Sequence, residues 1–160
     1  MSRQINASNP APPQGGMKIL VINGPNLNLL GLREPALYGT LTLPELNLRL
    51  EGLAAELGLT LGFRQSNHEG DLVEAVQSLA READGAILNA GGYTHTSVAL
   101  RDAVLASDKP VVEVHLTNPA AREDFRRVSL LAGAARGSIA GFGPLSYELA
   151  LWWFHRTDKH

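Results

Sequence analysis

From Lys18 onward, short apolar runs alternate with longer segments whose leucines and alanines recur at helical spacing, and no other feature constrains the fold as tightly. Lys18–Asn23 (KILVIN) reads as a buried strand stopped by Gly24-Pro25. Residues 44–57 follow as a helix, with Pro44 suited to a first turn and Gly58 to a C-terminal stop. Residues 59–64 make a weaker strand. Ser66 to Glu69 has the form of a capping box and opens a helix to about Arg81. Gly85–Asn89 (GAILN) is a third strand, residues 96–106 a third helix, and Val111–His115 a fourth strand. A helix over 120–127, a strand over 137–142 and a last helix over 144–155 complete the pattern, with Trp152 or Trp153 on the apolar face of that helix.

Five strands separated by helices describe a parallel sheet covered on both faces. The expected architecture is therefore an α/β, flavodoxin-like, doubly wound five-stranded sheet of order 2-1-3-4-5. A closed eight-stranded barrel would need far more than 160 residues. Such sheets bind ligands outside the carboxyl ends of their strands, beside the switch point between strands 1 and 3.

Composition removes several classes of function. An apolar share of 44% supplies a core, and the length suits one domain. A net charge of -2 without a Lys/Arg run argues against nucleic acid or a membrane surface as partner. With no cysteine, a disulfide scaffold and thiolate chemistry are excluded. No apolar stretch approaches the ~20 residues of a bilayer span. Residues 1–16 are polar, rich in Pro, Asn and Gly, and carry no apolar core of a signal peptide. They read as a disordered extension, which leaves residues 17–160 as a single catalytic domain and the cytoplasm as the default location.

The strand ends hold the chemistry. Strand 1 runs into Asn23-Gly24-Pro25-Asn26-Leu27-Asn28 and then a long loop to about Leu43 that contains Arg33, Glu34 and Tyr38; loops of that length in compact domains are usually active-site lids or disordered stretches. Strand 3 ends in Asn89 and a glycine-rich run to His95 and Ser97. Strand 4 places Glu113 and His115 on one face, because side chains along a strand repeat every two residues. Taken singly, each has an ordinary structural role: histidines are usually hydrogen-bonded, asparagines beside Gly-Pro form turns, and Arg122, Arg126 and a Glu123–Arg127 pair suit a solvated helix face. Their convergence is what points to an enzyme, and a carboxylate beside a histidine can fix its tautomer and raise its basicity.

Other chemistries lack their parts. No G-x-G-x-x-G or Walker motif follows strand 1, and no H-E-x-x-H pair is present. The lysines, Lys18, Lys109 and Lys159, all lie away from the strand ends that build the site, which disfavours amine catalysis. What remains open is an acid–base lyase or isomerase acting on a hydroxylated keto-acid, or a flavodoxin-like binding or receiver module. A receiver needs acidic residues where Asn23 and Asn26 stand.

The stretches NGPNLNLL from Asn23, REPALYG from Arg33, QSNHE from Gln65, ILNAGGYTHTSVALRD from Ile87 and VEVHLTNPAAREDF from Val112 closely resemble the type II 3-dehydroquinases. The resemblance covers about residues 17–153. It implies a flavodoxin-like fold, a dodecamer of four trimers, and dehydration of 3-dehydroquinate to 3-dehydroshikimate without metal or organic cofactor. It makes Tyr38 the base, His115 the general acid, Arg33 the lid residue that favours tyrosinate, and Glu113 the group that orients His115. Asn26 would hold a water against the enolate oxygen. Asn89, Thr117 and the backbone of Leu116 would grip the substrate carboxylate, His95 and Arg126 the ring hydroxyls, and Arg122 would stand near the lid. Asp102 matches a residue that reaches a neighbouring subunit's site. Thr117 stands where serine is frequent, and Tyr93 occupies a variable position.

Overall fold

Three strands are buried along nearly their whole length, and burial on both faces puts them in the middle of the sheet. These are β1 (Lys18–Asn23), β3 (Gly85–Asn89) and β4 (Val111–His115) in a computed structural model that describes residues 15–158. The partly exposed strands β2 (Thr60–Gln65) and β5 (Gly137–Ala140) form the edges. All pairs are parallel and the order is β2-β1-β3-β4-β5, a doubly wound flavodoxin-like sheet as the alternation predicts.

Side-chain alternation divides the core in two. Ile19 and Val21 of β1 face the helices α2 (Leu43–Leu57) and α5 (Leu145–Thr157), whereas Leu20 and Ile22 face α3 (Glu69–Glu82) and α4 (Val98–Ala106). Leu46 and Leu50, one turn apart on α2, are fully buried, and truncating either to alanine should cost about 2–5 kcal/mol. The one-turn helix α1 (Pro35–Tyr38) lies in the connection between β1 and α2 and buries no residue.

Strand register is what assembles the site. Asn23 pairs with Gln65 on one side and Asn89 on the other, which lines up three amides at the carboxyl edge. Glu113 pairs with Ser138 across β4 and β5. Gly24 must be glycine: a Cβ there would stand 2.4 Å from the carbonyl oxygen of Ala90, where the exits of β1 and β3 meet.

Several local expectations are corrected. Residues 120–127 form no continuous helix but two 3-10 turns, Pro119–Ala121 and Asp124–Arg126, with Arg122 and Glu123 extended between them. The segment has no apolar stripe to bury, and its charges are met locally by Arg126–Glu123 and Arg127–Asp124 pairs rather than Glu123–Arg127. Nor does Ser66 to Glu69 form a capping box. The helix starts after His68, the Ser66 hydroxyl accepts from His68 N–H and donates to Asp71, and Glu69 accepts from Ser97, the N-cap of α4. A complete capping box is found instead at Thr42 and Glu45, ahead of α2. The third helix begins at Val98, one residue after its Ser97 cap, and β5 ends at Ala140, where Gly141 turns at φ 95°. Of the two tryptophans, Trp153 packs on the core and Trp152 is 44% exposed. Of the extension read over 1–16, residues 1–14 lie outside the described residues.

Candidate active site

Along β4 the period of two sends Glu113 and His115 to the same face, one behind the other. Glu113 is 2% exposed and its carboxylate takes three side-chain donors: His115 Nε2 at 2.7 Å and Ser129 at 2.7 Å on Oε1, and Ser138 at 2.8 Å on Oε2. Burial alone pushes this carboxyl up. The bonds from His115, Ser129 and Ser138, with the attraction of the His115 ring, outweigh burial and hold it below the ordinary carboxylate range. An ionised Glu113 can only accept, so His115 carries its proton on Nε2 and offers Nδ1 to the cleft.

The ends of β1 and β3 supply amides. Asn89 Nδ2 donates to the buried hydroxyl of Tyr147 at 2.8 Å, and its Oδ1 accepts from Gly91 N–H at 3.2 Å. The Tyr147 hydroxyl in turn donates to Asn23 Oδ1 at 2.7 Å. Asn26, in the left-handed region at φ 69°, donates its N–H to Asn67 Oδ1, while Gln65 Nε2 lies within 3.5 Å of Gly24 O, Asn28 Oδ1 and Asn67 Oδ1. This network ties the first turn of the lid to the end of β2. His95 holds its Nδ1 against the Val128 carbonyl at 2.7 Å, which leaves Nε2 as an acceptor.

Tyr38 joins the lining from α1. Its ring lies 5.7 Å from the Arg33 guanidinium and 5.6 Å from that of Arg122, and Arg122 donates to the phenol oxygen at 2.8 Å. Arg33 is shared with Glu34 at 3.3 Å. The resemblance assigns the tyrosinate-favouring role to Arg33, but the charged hydrogen bond to the phenol comes from Arg122. Arg122 makes this bond from an extended backbone, where a helix had been expected.

One cleft gathers Asn26, Arg33 and Tyr38 from the lid, Asn89 and His95 from the β3 exit, and His115, Leu116, Thr117, Arg122 and Arg126 from β4 and the turns after it. Glu113 lies behind His115 rather than in the lining. Asp102 does not enter the cleft and sits exposed on α4. No three His, Asp or Glu side chains among the described residues stand together as metal ligands.

Residues 17–155 match the family described as Dehydroquinase class II. The chain belongs to that family. A 3-dehydroquinate dehydratase of Thermus thermophilus is 57% identical over 140 residues, spanning 87% of this chain and 94% of the relative. One from Carboxydothermus hydrogenoformans is 55% identical over 135 residues, spanning 84% and 88%. Among solved structures, a type II dehydroquinase from Propionibacterium acnes superposes with a TM-score of 0.84 at 40% identity, over 88% of this chain and 97% of that one. A 3-dehydroquinate dehydratase-like protein from Bifidobacterium longum is more distant, with a TM-score of 0.68 at 28% identity, over 90% and 99%.

Three polar residues that support this dehydroquinase cleft from behind carry no signal in the sequence. Ser129 and Ser138 carry no motif and meet Glu113 only through the fold, 16 and 25 residues away in the chain. Tyr147 sits within an apolar helical pattern and reads as core, which it is, apart from its hydroxyl.

Proposed function

We propose that this cleft dehydrates 3-dehydroquinate to 3-dehydroshikimate, with Tyr38 as tyrosinate base and His115 as general acid. Tyr38 takes the proton from carbon 2, next to the ketone, and the C–H electrons become an enolate. The enolate then collapses, a double bond forms between carbons 1 and 2, and the carbon 1 hydroxyl departs as water with a proton from His115. An ordinary phenol, with pKa ~10, is ionised about one part in a thousand at neutral pH. A guanidinium that donates to the phenol oxygen stabilises the anion there, and Arg122 stands in that position with Arg33 beside the ring. Ionised Glu113 stabilises the imidazolium and holds His115 in the tautomer that presents Nδ1. Asn26 holds a water against the enolate oxygen, where donors act most strongly on developing charge. Asn89, Thr117 and the Leu116 backbone bind the carboxylate, and His95 and Arg126 the ring hydroxyls.

One observation carries the reading: a phenol bonded to a guanidinium and a histidine bonded to a buried carboxylate line one cleft. Incubation with 3-dehydroquinate should produce the ultraviolet absorbance of the conjugated enone carboxylate. Turnover should survive exhaustive chelation and borohydride; loss by either treatment in a folded protein would reject the mechanism.

The family resemblance also supports a dodecamer of four trimers, in which exposed Asp102 reaches a neighbouring subunit's site. A monomer at micromolar concentration in analytical ultracentrifugation would contradict it. No described helix is long and apolar enough to cross a membrane, and we place the enzyme in the cytoplasm, serving aromatic biosynthesis or quinate breakdown.

A further inference from the structure

Away from the lid, Tyr147 is wholly buried in the half of the core between the sheet and α2 and α5, yet its hydroxyl sits between two side-chain amides. A phenol has one proton to give. Asn23 Oδ1, an acceptor only, takes it, and the phenol's lone pairs are left for Asn89. Those lone pairs require the nitrogen of the Asn89 amide, not its oxygen, on their side. On the other side, Gly91 N–H requires the oxygen. The two contacts use Oδ1 and one hydrogen of Nδ2. Among the described residues nothing accepts the second hydrogen, and Asn89 lines the cleft.

We propose that Tyr147 is a positioning residue for substrate binding, locking the Asn89 amide so that an N–H, and not a carbonyl oxygen, faces the substrate carboxylate. The inference rests on the dehydratase reading of the cleft and adds to it the group that sets the polarity of the carboxylate grip. Turning the Asn89 amide over would set its nitrogen against Gly91 N–H and its oxygen against a phenol oxygen whose proton is committed to Asn23. Both bonds would be lost together, and buried polar groups left unpaired are costly. Burial holds the Tyr147 phenol far above its usual range, with the Asn89 bond offsetting this only in part. The hydroxyl therefore keeps its proton, and the direction of the relay, throughout the working pH range. Without the hydroxyl, only the Gly91 contact opposes rotation of the amide.

The test is Tyr147→Phe, which keeps the buried ring and deletes the relay. Losing an oriented donor to an anion should raise KM for 3-dehydroquinate about tenfold. Because Tyr147 touches no reacting atom, kcat should stay within about threefold of the parent. Asn89→Ala should raise KM at least as far, and adding Tyr147→Phe to it should do nothing more, since the relay acts only through Asn89. A folded Tyr147→Phe with KM within about twofold of the parent, a loss confined to kcat, or additive effects in the double variant would each overturn the role. If Tyr147→Phe does not fold by circular dichroism, Asn23→Ala is judged by the same KM measurements, because it frees the hydroxyl proton while keeping the phenol. A parent that fails to turn over 3-dehydroquinate removes the dehydratase reading and this inference with it, whereas an active parent with an indifferent Tyr147 removes the inference alone.

Discussion

The two walls of the cleft are held by different means. On the sheet side, His115 rests on a carboxylate that is itself bonded three times, and Asn89 is fixed through both ends of its amide. On the lid side, Tyr38 belongs to a one-turn helix without a buried residue, preceded by Glu34 in the left-handed region at φ 42°. Leu32 and Leu37 of this segment are exposed, and among the described residues the phenol oxygen has a single hydrogen bond, from Arg122. Segments with few buried contacts open at low free-energy cost. Under the proposed mechanism the contrast teaches a division of labour: the acid and the carboxylate-binding amide are built into the sheet, and the base rides on a segment with few buried contacts.

The largest effect should fall on the lid. Tyr38→Phe removes one oxygen, leaves the fold intact, and should lower kcat by about 10³-fold or more with little change in substrate binding. His115→Ala should lower elimination by about 10²-fold or more, yet exchange of the carbon 2 proton with solvent should outlast it, since the base is still present. Near-parental turnover in Tyr38→Phe would mean the base has been misassigned and the two walls have no such division.

A smaller effect separates the two arginines. Arg122→Ala removes the hydrogen bond to the phenol and should lower kcat about 10- to 100-fold at neutral pH; Arg33→Ala, whose charge is shared with Glu34, should lower it less. Steady-state kcat at neutral pH that leaves Arg33→Ala the more damaged variant would show that proximity to the ring, not donation to the oxygen, is what counts.

Strand positions were legible because apolar runs and their glycine stops are local signals, and Lys18–Asn23, Gly85–Asn89 and Val111–His115 agree with the structure residue for residue. The segment over 120–127 was misread because helical spacing of Arg122 and Arg126 imitates a helix that has no face to bury. Ser66 to Glu69 has the letters of a capping box, but tertiary contacts with Asp71 and Ser97 claim the side chains. The residues that line the cleft lie at strand ends and in contiguous motifs, which are local signals. Their supports leave none: Ser129, Ser138 and Tyr147 act at a distance in the chain, and only strand register brings them in.

The smallest predicted effect probes the sheet wall through Ser138. Glu113 sits below the ordinary carboxylate range in the folded protein, so its contribution to stability is present above the unfolded value of about 4.3 and is lost as pH falls through the lower, folded one. Ser138 is the side-chain donor on Oε2, whereas His115 and Ser129 share Oε1. Ser138→Ala removes that donor without touching the cleft, so burial weighs more heavily and the carboxyl moves back up. The cost should be about 1 kcal/mol at neutral pH, near the low end for a bond to a charged group because Ser138 is on an exposed edge strand. Thermal unfolding followed between about pH 3 and 6 should show a gap between variant and parent that is widest towards neutral pH and closes as pH falls, because the variant has less Glu113 stabilisation to lose. Turnover at neutral pH should remain within about twofold, because two donors still hold Glu113 and His115 keeps its tautomer. Superimposable stability curves for the two proteins throughout that range would show that Ser138 contributes nothing to the charge of Glu113, and that the sheet wall rests on His115 and Ser129 alone.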